Sequence, residues 1–183
     1  MAFLFPLLLG FAFNSASAFT AAYSRRWGER RGQGLSLVLR DVLGIPVWAL
    51  GYILAARTPS PALFTSSWAS QALGWLLILA GAAVIVVGLR SLGWRAVSPS
   101  LSDSLVESGL YARVRHPLYS GMLLELAGLA VLLPTPPMLV ACALGVIWTL
   151  LQARLEELDL LQRLPGYADY MRRVPRFVPR LFH

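Results

Sequence analysis

The sequence predicts an all-α integral membrane bundle of about five transmembrane helices, followed by a cytoplasmic helical tail at the carboxyl terminus. Hydrophobic residues make up 57% of the 183 residues and charged residues only 14%, with a mean hydropathy of +0.63. Soluble domains carry about 25% charged residues, so this composition is typical of a membrane protein. Apolar runs of roughly membrane length alternate with arginine-rich gaps, and the chain is short enough to form one bundle.

Five apolar segments are long enough, or nearly long enough, to cross the roughly 30 Å hydrocarbon core. They cover approximately residues 2–23, 35–56, 70–89, 117–133 and 138–151. The first ends in small residues, as a signal peptide does, but no positive charge precedes it and arginines follow it. We therefore interpret it as a membrane helix rather than a cleaved signal. Pro134–Pro137 separates the last two segments and predicts a tight helical hairpin.

The distribution of arginine predicts how these spans are oriented. All sixteen basic residues are arginine, and with five spans fifteen of them fall on one side, leaving only Arg57 on the other. By the positive-inside rule, we expect the amino terminus outside and the carboxyl terminus in the cytoplasm, in a bacterial inner (plasma) membrane. Because the charges lie between apolar runs, they indicate lipid headgroups as partners and not nucleic acid.

We divide the chain into residues 1–104, with three spans and a cytoplasmic loop, and residues 105–183, with the hairpin and the tail. Leucines at helical spacing continue the fifth segment into the tail. Leu164–Gly166 should end that helix, because proline and glycine interrupt helical structure. A short helix over about Tyr167–Arg173 and an extended segment against the membrane surface are expected to follow.

Polar residues cluster where the fourth span begins. Pro117 suits the first turn of a helix, and His116 then lies at the cap. The free N–H groups and the dipole of a helix amino terminus attract an anion, and Arg113 and Arg115 add positive charge there. The alternative is that these arginines only set topology and contact lipid headgroups.

One face of the fourth span carries Pro117, Gly121, Glu125 and Gly128, which follow at spacings of three and four. Small residues on this face let another helix or a ligand approach closely. A carboxylate at the depth of Glu125 is costly and should face the protein interior or a wet cavity. Glu125 is therefore either functional or a protonated, hydrogen-bonded structural residue.

A second polar cluster contains the adjacent residues Glu156 and Glu157. On a helix their side chains point about 100° apart, so both cannot face the same partner. One could bind a ligand such as a ribose, whose hydroxyls suit a carboxylate, while the other pairs with Arg113, Arg115 or Arg154. The alternative is an ordinary solvated helix face.

Several kinds of site have no motif in the sequence. There is no phosphate-binding loop, no glycine-rich dinucleotide fingerprint and no serine nucleophile elbow. Two histidines and one cysteine cannot form a plausible zinc site, so no metal is expected. Cys142 lies alone in an apolar run and is expected to be a buried, inert thiol.

Two stretches, GLYARVRHPLYSG and RLEELDLLQRLPGYADYMRRVPRFVP, resemble the isoprenylcysteine carboxyl methyltransferase and phospholipid methyltransferase group of integral membrane enzymes. The resemblance covers Leu105–Pro179 and rests on several motifs in order, namely Gly109, Tyr111, Arg115, His116, Pro117, Tyr119 and Gly121, then Glu156, Glu157 and Leu160, then Gly166, Tyr167, Tyr170, Val174, Pro175 and Pro179. Leu164–Pro165 replaces the aromatic lead that is usual before the tyrosines. With that change, Tyr170 fits the family tyrosine better than Tyr167.

The resemblance implies an S-adenosylmethionine site between the hairpin and the tail. Arg115 would lie near the reacting centre, and a tail arginine, with Arg173 as the candidate beside Arg172 and Arg176, would close it. Glu125 is the candidate base if the acceptor is an amine. The residues expected to bind the cofactor are Arg113, His116, Pro117, Tyr119, Gly121, Glu156, Glu157, Leu160 and Tyr170.

The methyl acceptor is expected to be lipophilic and to enter from the bilayer, as an isoprenylcysteine-like carboxylate or a phospholipid-like amine, with a thiol also open. One alternative is a sterol-type membrane reductase that uses NADPH, although an adenosine 2′-phosphate prefers arginine to the acidic pair. The other is a non-catalytic membrane protein or a small transporter, for which Glu125 would serve ion coupling. Five spans without inverted halves argue against a typical transporter.

Overall fold

The computed structural model describes residues 1–93 and 104–180. All regular structure in these residues is helical, which confirms the predicted all-α class. Arg95 and residues 181–183, part of the predicted loop and tail, lie outside the described ranges. The helices are α1 (Leu4–Ser17), α2 (Thr20–Trp27), α3 (Glu29–Leu37), α4 (Ile45–Arg57), α5 (Trp68–Leu92), α6 (Pro117–Leu132), α7 (Pro136–Arg163) and α8 (Tyr167–Arg173), with a π-helical segment at Val38–Gly44 and a 3₁₀ turn at Gly109–Ala112.

Three or four candidate membrane spans occur in the described residues. The continuous stretches Glu29–Arg57, Trp68–Leu92 and Pro136–Arg163 are long and apolar enough to cross a membrane. Helices α1 and α2 together form a fourth candidate, bent by 60°. Helix α6 has 16 residues, a length of about 24 Å, whereas the hydrocarbon core is roughly 30 Å thick. The five predicted apolar segments are all helical, but the count of five spans stays a prediction.

The first predicted segment is bent, and polar side chains account for the bend. The Ser17 hydroxyl donates to the Asn14 carbonyl at 2.6 Å, and helix α1 ends there. Such local bonds compete with the helical ladder and often bend helices. The N–H of Ala21, in the first turn of α2, donates instead to Asp159 Oδ1 of α7 at 2.8 Å. The bend is therefore fixed by a tertiary contact to the carboxyl-terminal half.

Helices α3 and α4 form one long helix with the π-helical segment between them. Pro46 lies in its second half, where a proline has no N–H and its ring clashes with the carbonyl four residues earlier. The wider π turn relieves this conflict, and the Ile45 N–H donates to the carbonyl of Arg40, five residues back. Gly44 lets α1 come close, since a Cβ there would lie 3.0 Å from the Asn14 Cβ.

Helices α5 and α6 pack through glycines that approach each other's backbone. Gly74, Gly81 and Gly88 of α5 are buried and lie seven residues apart. A Cβ at Gly81 would lie 2.5 Å from the Gly121 carbonyl oxygen, so this close approach requires glycine. The small-residue face of the fourth predicted span therefore contacts another helix, which was one of the two expectations for it.

Helix α7 is longer than the fifth predicted segment and carries the acidic pair on the same continuous helix. It ends at Arg163, before the Leu164–Gly166 stretch, and Gly166 adopts φ +82°. Helix α8 then covers Tyr167–Arg173, the range expected for the short tail helix. The extended segment after it pairs with the start of α6: Arg115 N–H donates to the Pro175 carbonyl and His116 N–H to the Arg176 carbonyl.

Candidate functional site

A cavity of about 720 Å³ lies between the amino-terminal helices and the α6–α7 hairpin. Its volume is within the range of small-molecule sites, and its wall is mostly apolar with a few polar groups. Both halves of the chain contribute to it. The lining residues include Asn14, Ser17, Thr20, Arg40, Asp41, Trp48, Ile85, Leu89, Tyr111, Arg115, His116, Leu118, Tyr119, Met122, Trp148, Glu156, Asp159, Leu160, Arg163, Tyr167 and Tyr170.

Behind the cavity wall, Glu157 is fully buried and accepts hydrogen bonds from several side chains. Its Oε1 accepts from Arg115 Nη2 at 2.9 Å and lies 3.2 Å from His116 Nε2. Arg176 donates to both Glu157 oxygens, and this hydrogen bonding raises the pKa of Arg176 above its ordinary value. A buried carboxylate is tolerated when it is paired and hydrogen-bonded in this way. Glu157 therefore joins α7 to the start of α6 and to the tail.

Arg115 also ties the tail to the bundle. Its Nη1 donates to the carbonyls of Met171, at 2.8 Å, and Val174, while Nε and Nη2 bind Glu157. Its side chain is only 9% exposed. Arg115 borders the cavity, but its guanidinium donates to Glu157 and to two carbonyls of the tail. This geometry gives Arg115 the role of holding the tail in place. We predicted a place near the reacting centre, and that role stays a prediction.

Glu156 is the member of the acidic pair that lines the cavity. It accepts a short hydrogen bond from the Tyr119 hydroxyl and a longer one, 3.3 Å, from Gln152 Nε2. Its side chain keeps 34% exposure, and one oxygen lies 4.0 Å from His116 Nδ1. The sequence left open which glutamate pairs with arginine. In the structure Glu157 does so, and Glu156 presents its carboxylate to the cavity.

Aromatic rings surround the same part of the cavity. The Tyr119 ring meets Trp148 edge to face, with centroids 6.4 Å apart. The His116 ring lies 5.6 Å from Tyr119 and 6.0 Å from Phe177 of the tail. His116 takes the cap position of α6 with Pro117 directly after it, as the sequence indicated. Tyr119 and Trp148, which both line the cavity, offer aromatic faces that favour a cation.

The two tail tyrosines differ in how their hydroxyls are used. Tyr170 donates to the Tyr111 carbonyl at 2.6 Å, and burial raises its pKa to about 12. Tyr167 is 3% exposed, and its hydroxyl has no hydrogen-bond partner in the described part of the chain. Both rings line the cavity. We predicted Tyr170 as the ligand-binding tyrosine, but its hydroxyl is already engaged in holding the 3₁₀ turn to α8.

Only some of the predicted site residues come together at this cavity. Exposed Arg173 pairs with Glu107 at 2.7 Å, and Arg113 is also exposed. Glu125 packs against Gly81 of α5, about two turns from the helix start. Those that line the cavity are Arg115, His116, Tyr119, Glu156, Leu160 and Tyr170, whereas Arg113, Pro117, Gly121, Glu125, Glu157 and Arg173 do not.

The amino-terminal half also lines the cavity, which was not predicted from the sequence. Arg40 and Asp41 form a bidentate ion pair, with both nitrogen–oxygen distances 2.9 Å, and both line the cavity. Asp159 also lines it and is bound by Arg163 Nε at 2.7 Å. Adjacent charges near the start of an apolar segment are a usable signal for the first pair. Within the described ranges, no group of three or more His, Cys, Asp or Glu residues could hold a metal ion.

Comparisons with known proteins find relatives that match more than half of this chain. The cobalt-zinc-cadmium resistance protein CzcN of Cupriavidus metallidurans is 33% identical over 160 residues, which cover 81% of this chain and 70% of that protein. The nickel-cobalt-cadmium resistance protein NccN of Alcaligenes xylosoxydans xylosoxydans is 30% identical, covering 80% and 68%. Methanethiol S-methyltransferase 2 of Bradyrhizobium diazoefficiens is 36% identical over 121 residues, covering 60% and 44%.

No solved structure matches the chain significantly. The family model for phospholipid methyltransferases matches residues 69–166, more than half of the chain and most of the α5–α7 core. The sequence motifs, the apolar helices and these matches agree on an integral membrane methyltransferase, and the chain belongs to the phospholipid methyltransferase family.

Proposed function

We propose that the cavity binds S-adenosylmethionine and that the enzyme transfers its methyl group to a lipophilic acceptor. The main support for this proposal is the position of Glu156. Within the family-matched region, the Glu156 carboxylate faces a cavity of about 720 Å³ beside the aromatic start of α6. Members of methyltransferase families generally use S-adenosylmethionine. The residues that line the cavity suit its chemical groups.

Three parts of the donor have a suitable counterpart in the cavity wall. The Glu156 carboxylate suits ribose hydroxyls, which donate hydrogen bonds. The faces of Tyr119 and Trp148 suit a positively charged sulfonium. Apolar and aromatic side chains such as Leu160 and Tyr167 suit the adenine ring. These residues come from α6, α7 and α8, so residues 105–183 would hold the donor and residues 1–104 would complete the acceptor side.

When bound, the donor supplies an activated methyl group that is attached to a sulfonium. The chain's own residues orient the reactants and keep the site dry, because a held geometry replaces a bimolecular encounter. Glu157 acts indirectly, because its hydrogen bonds with His116 and Arg176 hold His116 and the tail against the cavity. A carboxylate acceptor needs no base. An amine or thiol loses a proton, and Glu125 is a weaker candidate base than the sequence indicated, because it does not line the cavity.

The acceptor is proposed to be a lipophilic molecule that enters from the bilayer. The matching family model is named for phospholipid methyltransferases, which favours a lipid amine as the acceptor. The methyltransferase relative is named for a thiol acceptor, methanethiol. We propose that the arginine-rich end of the bundle, where α2, α7 and the tail meet, faces the cytoplasm, in a bacterial inner membrane. This orientation follows the positive-inside rule and lets a soluble donor reach the cavity.

The test is methyl transfer with the full-length protein in detergent. Purified enzyme is incubated with methyl-labelled S-adenosylmethionine and, in separate reactions, with a membrane lipid extract, decylamine, decanethiol or decanoate. We expect label in at least one acceptor, inhibition by S-adenosylhomocysteine, and strongly reduced transfer by the Glu156→Gln variant. Binding of NADPH with no binding of S-adenosylhomocysteine would contradict the proposal and favour the reductase alternative.

A further inference from the structure

The cavity has a second wall that the family match does not cover. The matched region begins at residue 69, whereas Asn14, Thr20, Arg40, Asp41 and Trp48 also line the cavity. These residues come from α1, α2 and the long helix that contains the π-helical segment. If the matched part holds the methyl donor, the other reactant has to meet this second wall. Differences in acceptor choice between relatives would then arise here.

Arg40 and Asp41 are the charged pair of this wall. Nε and Nη2 of Arg40 donate to Oδ1 and Oδ2 of Asp41, each at 2.9 Å. The side chains are 27% and 37% exposed, so the carboxylate is the more accessible member of the pair. They lie on a helix that is otherwise apolar enough to span a membrane. Charged groups in such a helix are costly and generally mark a functional path or site.

The π-helical segment explains how two adjacent charges line one cavity. In an α-helix, consecutive side chains diverge by about 100°. A π turn holds more residues and reduces this divergence, and it is frequent at functional sites. Arg40 and Asp41 are both within Val38–Gly44, and the Arg40 carbonyl accepts the i+5 hydrogen bond from Ile45. Both side chains line the cavity from this segment, and the ion pair between them holds them together there.

We propose that the Arg40–Asp41 pair binds the polar end of the methyl acceptor and determines which acceptor is used. This inference rests on the proposed function and adds the acceptor side of the same site. Since Asp41 is the more accessible partner, the pair suits an end group that donates a hydrogen bond, an amine or a thiol, over a carboxylate. The apolar body of the acceptor packs along Ile45 and Trp48, which line the cavity on the same long helix as the pair.

The experiment compares Asp41→Asn, Arg40→Gln and the swapped double variant Arg40→Asp/Asp41→Arg with wild type, all as full-length protein in detergent. We expect S-adenosylhomocysteine affinity within about threefold of wild type in all three, because the donor wall is unchanged. For decylamine or decanethiol, kcat/KM should fall about tenfold or more in Asp41→Asn, because an unpaired polar contact discriminates strongly. The swapped variant retains an ion pair, so its Tm should be close to that of wild type. Its kcat/KM for the acceptor should stay low.

Acceptor occupancy is also measured without turnover, as the Tm shift caused by decylamine, decanethiol or decanoate in the presence of saturating S-adenosylhomocysteine. The amine or thiol should shift the wild-type Tm more than decanoate does, and Asp41→Asn should abolish that difference. Recovery of full acceptor use by the swapped variant, or no Tm shift by any probe in wild type, would overturn the inference. Failure of wild type to bind S-adenosylhomocysteine would instead contradict the proposed function from which the inference starts.

Discussion

Replacing Glu157 should damage the fold, whereas replacing its neighbour Glu156 should damage ligand binding. Glu157 is fully buried and pairs with Arg115, Arg176 and His116. Glu157→Gln keeps the shape but leaves two arginines without their counterion. Breaking a buried pair in this way costs about 3–5 kcal/mol. Because Arg176 is 34% exposed and can be hydrated, the lower end applies, about 3 kcal/mol.

Glu156→Gln, on the preceding residue, is the matched control. Its side chain is 34% exposed, and glutamine can still accept from Tyr119, so the stability change should stay below about 1 kcal/mol. Its affinity for S-adenosylhomocysteine should fall about tenfold or more, the worth of a hydrogen bond to a charged group. Glu157→Gln should lower the Tm by about 6–12 °C for a chain of this size.

The assay is thermal unfolding of both variants in the same detergent, together with limited trypsin digestion. Loss of the Glu157 contacts should release the tail, so cleavage at Arg172, Arg173 and Arg176 should accelerate in Glu157→Gln and not in Glu156→Gln. Wild-type unfolding of Glu157→Gln together with a loss of ligand affinity would contradict these roles, and so would a Glu156→Gln variant less stable than Glu157→Gln.

Three further contrasts follow from the packing. Tyr170→Phe removes the bond to the Tyr111 carbonyl and should cost about 1 kcal/mol in unfolding, whereas Tyr167→Phe should be neutral or slightly stabilising, and equal losses would contradict this. Gly81→Ala places a Cβ 2.5 Å from the Gly121 carbonyl oxygen and should cost about 1–3 kcal/mol, whereas Gly34→Ala, with open space around it, should change thermal stability by less than about 1 kcal/mol. Glu125→Gln should leave S-adenosylhomocysteine affinity within about twofold of wild type by calorimetry, since Glu125 does not line the cavity, and a tenfold loss would show that the site extends along α6.

Hydropathy and proline placement predicted much of the fold, because in a membrane protein the apolar segments are long and their interruptions are few. The break between α6 and α7, the end of α7 before Gly166 and the range of α8 followed from local signals of this kind. The break is shorter than the predicted Pro134–Pro137, because α7 already begins at Pro136. The π-helical segment did not. Its cause, Pro46 inside an apolar run, is visible in the sequence, but a kink, a break and a π turn are all ways to accommodate a proline.

The candidate site was predictable where it depends on motifs and unpredictable where it depends on contacts between distant elements. His116 at the cap and the divergence of Glu156 from Glu157 follow from helix geometry. Which glutamate faces the arginines depends on how α7 is rotated against α6, and that rotation is set by tertiary packing. The rotation of α6 is set by packing in the same way. Glu125 was expected near the reacting groups, but its face of α6 packs against the glycines of α5.

Calorimetric titration of purified wild-type protein with S-adenosylhomocysteine asks whether the cavity between the two halves holds the methyl donor. We expect saturable binding with one site per chain, weakened about tenfold or more by Glu156→Gln. Arg113→Gln should leave the affinity nearly unchanged, because Arg113 is exposed and lies outside the cavity. No binding to folded wild-type protein, or binding that Glu156→Gln leaves intact, would contradict donor binding in this cavity.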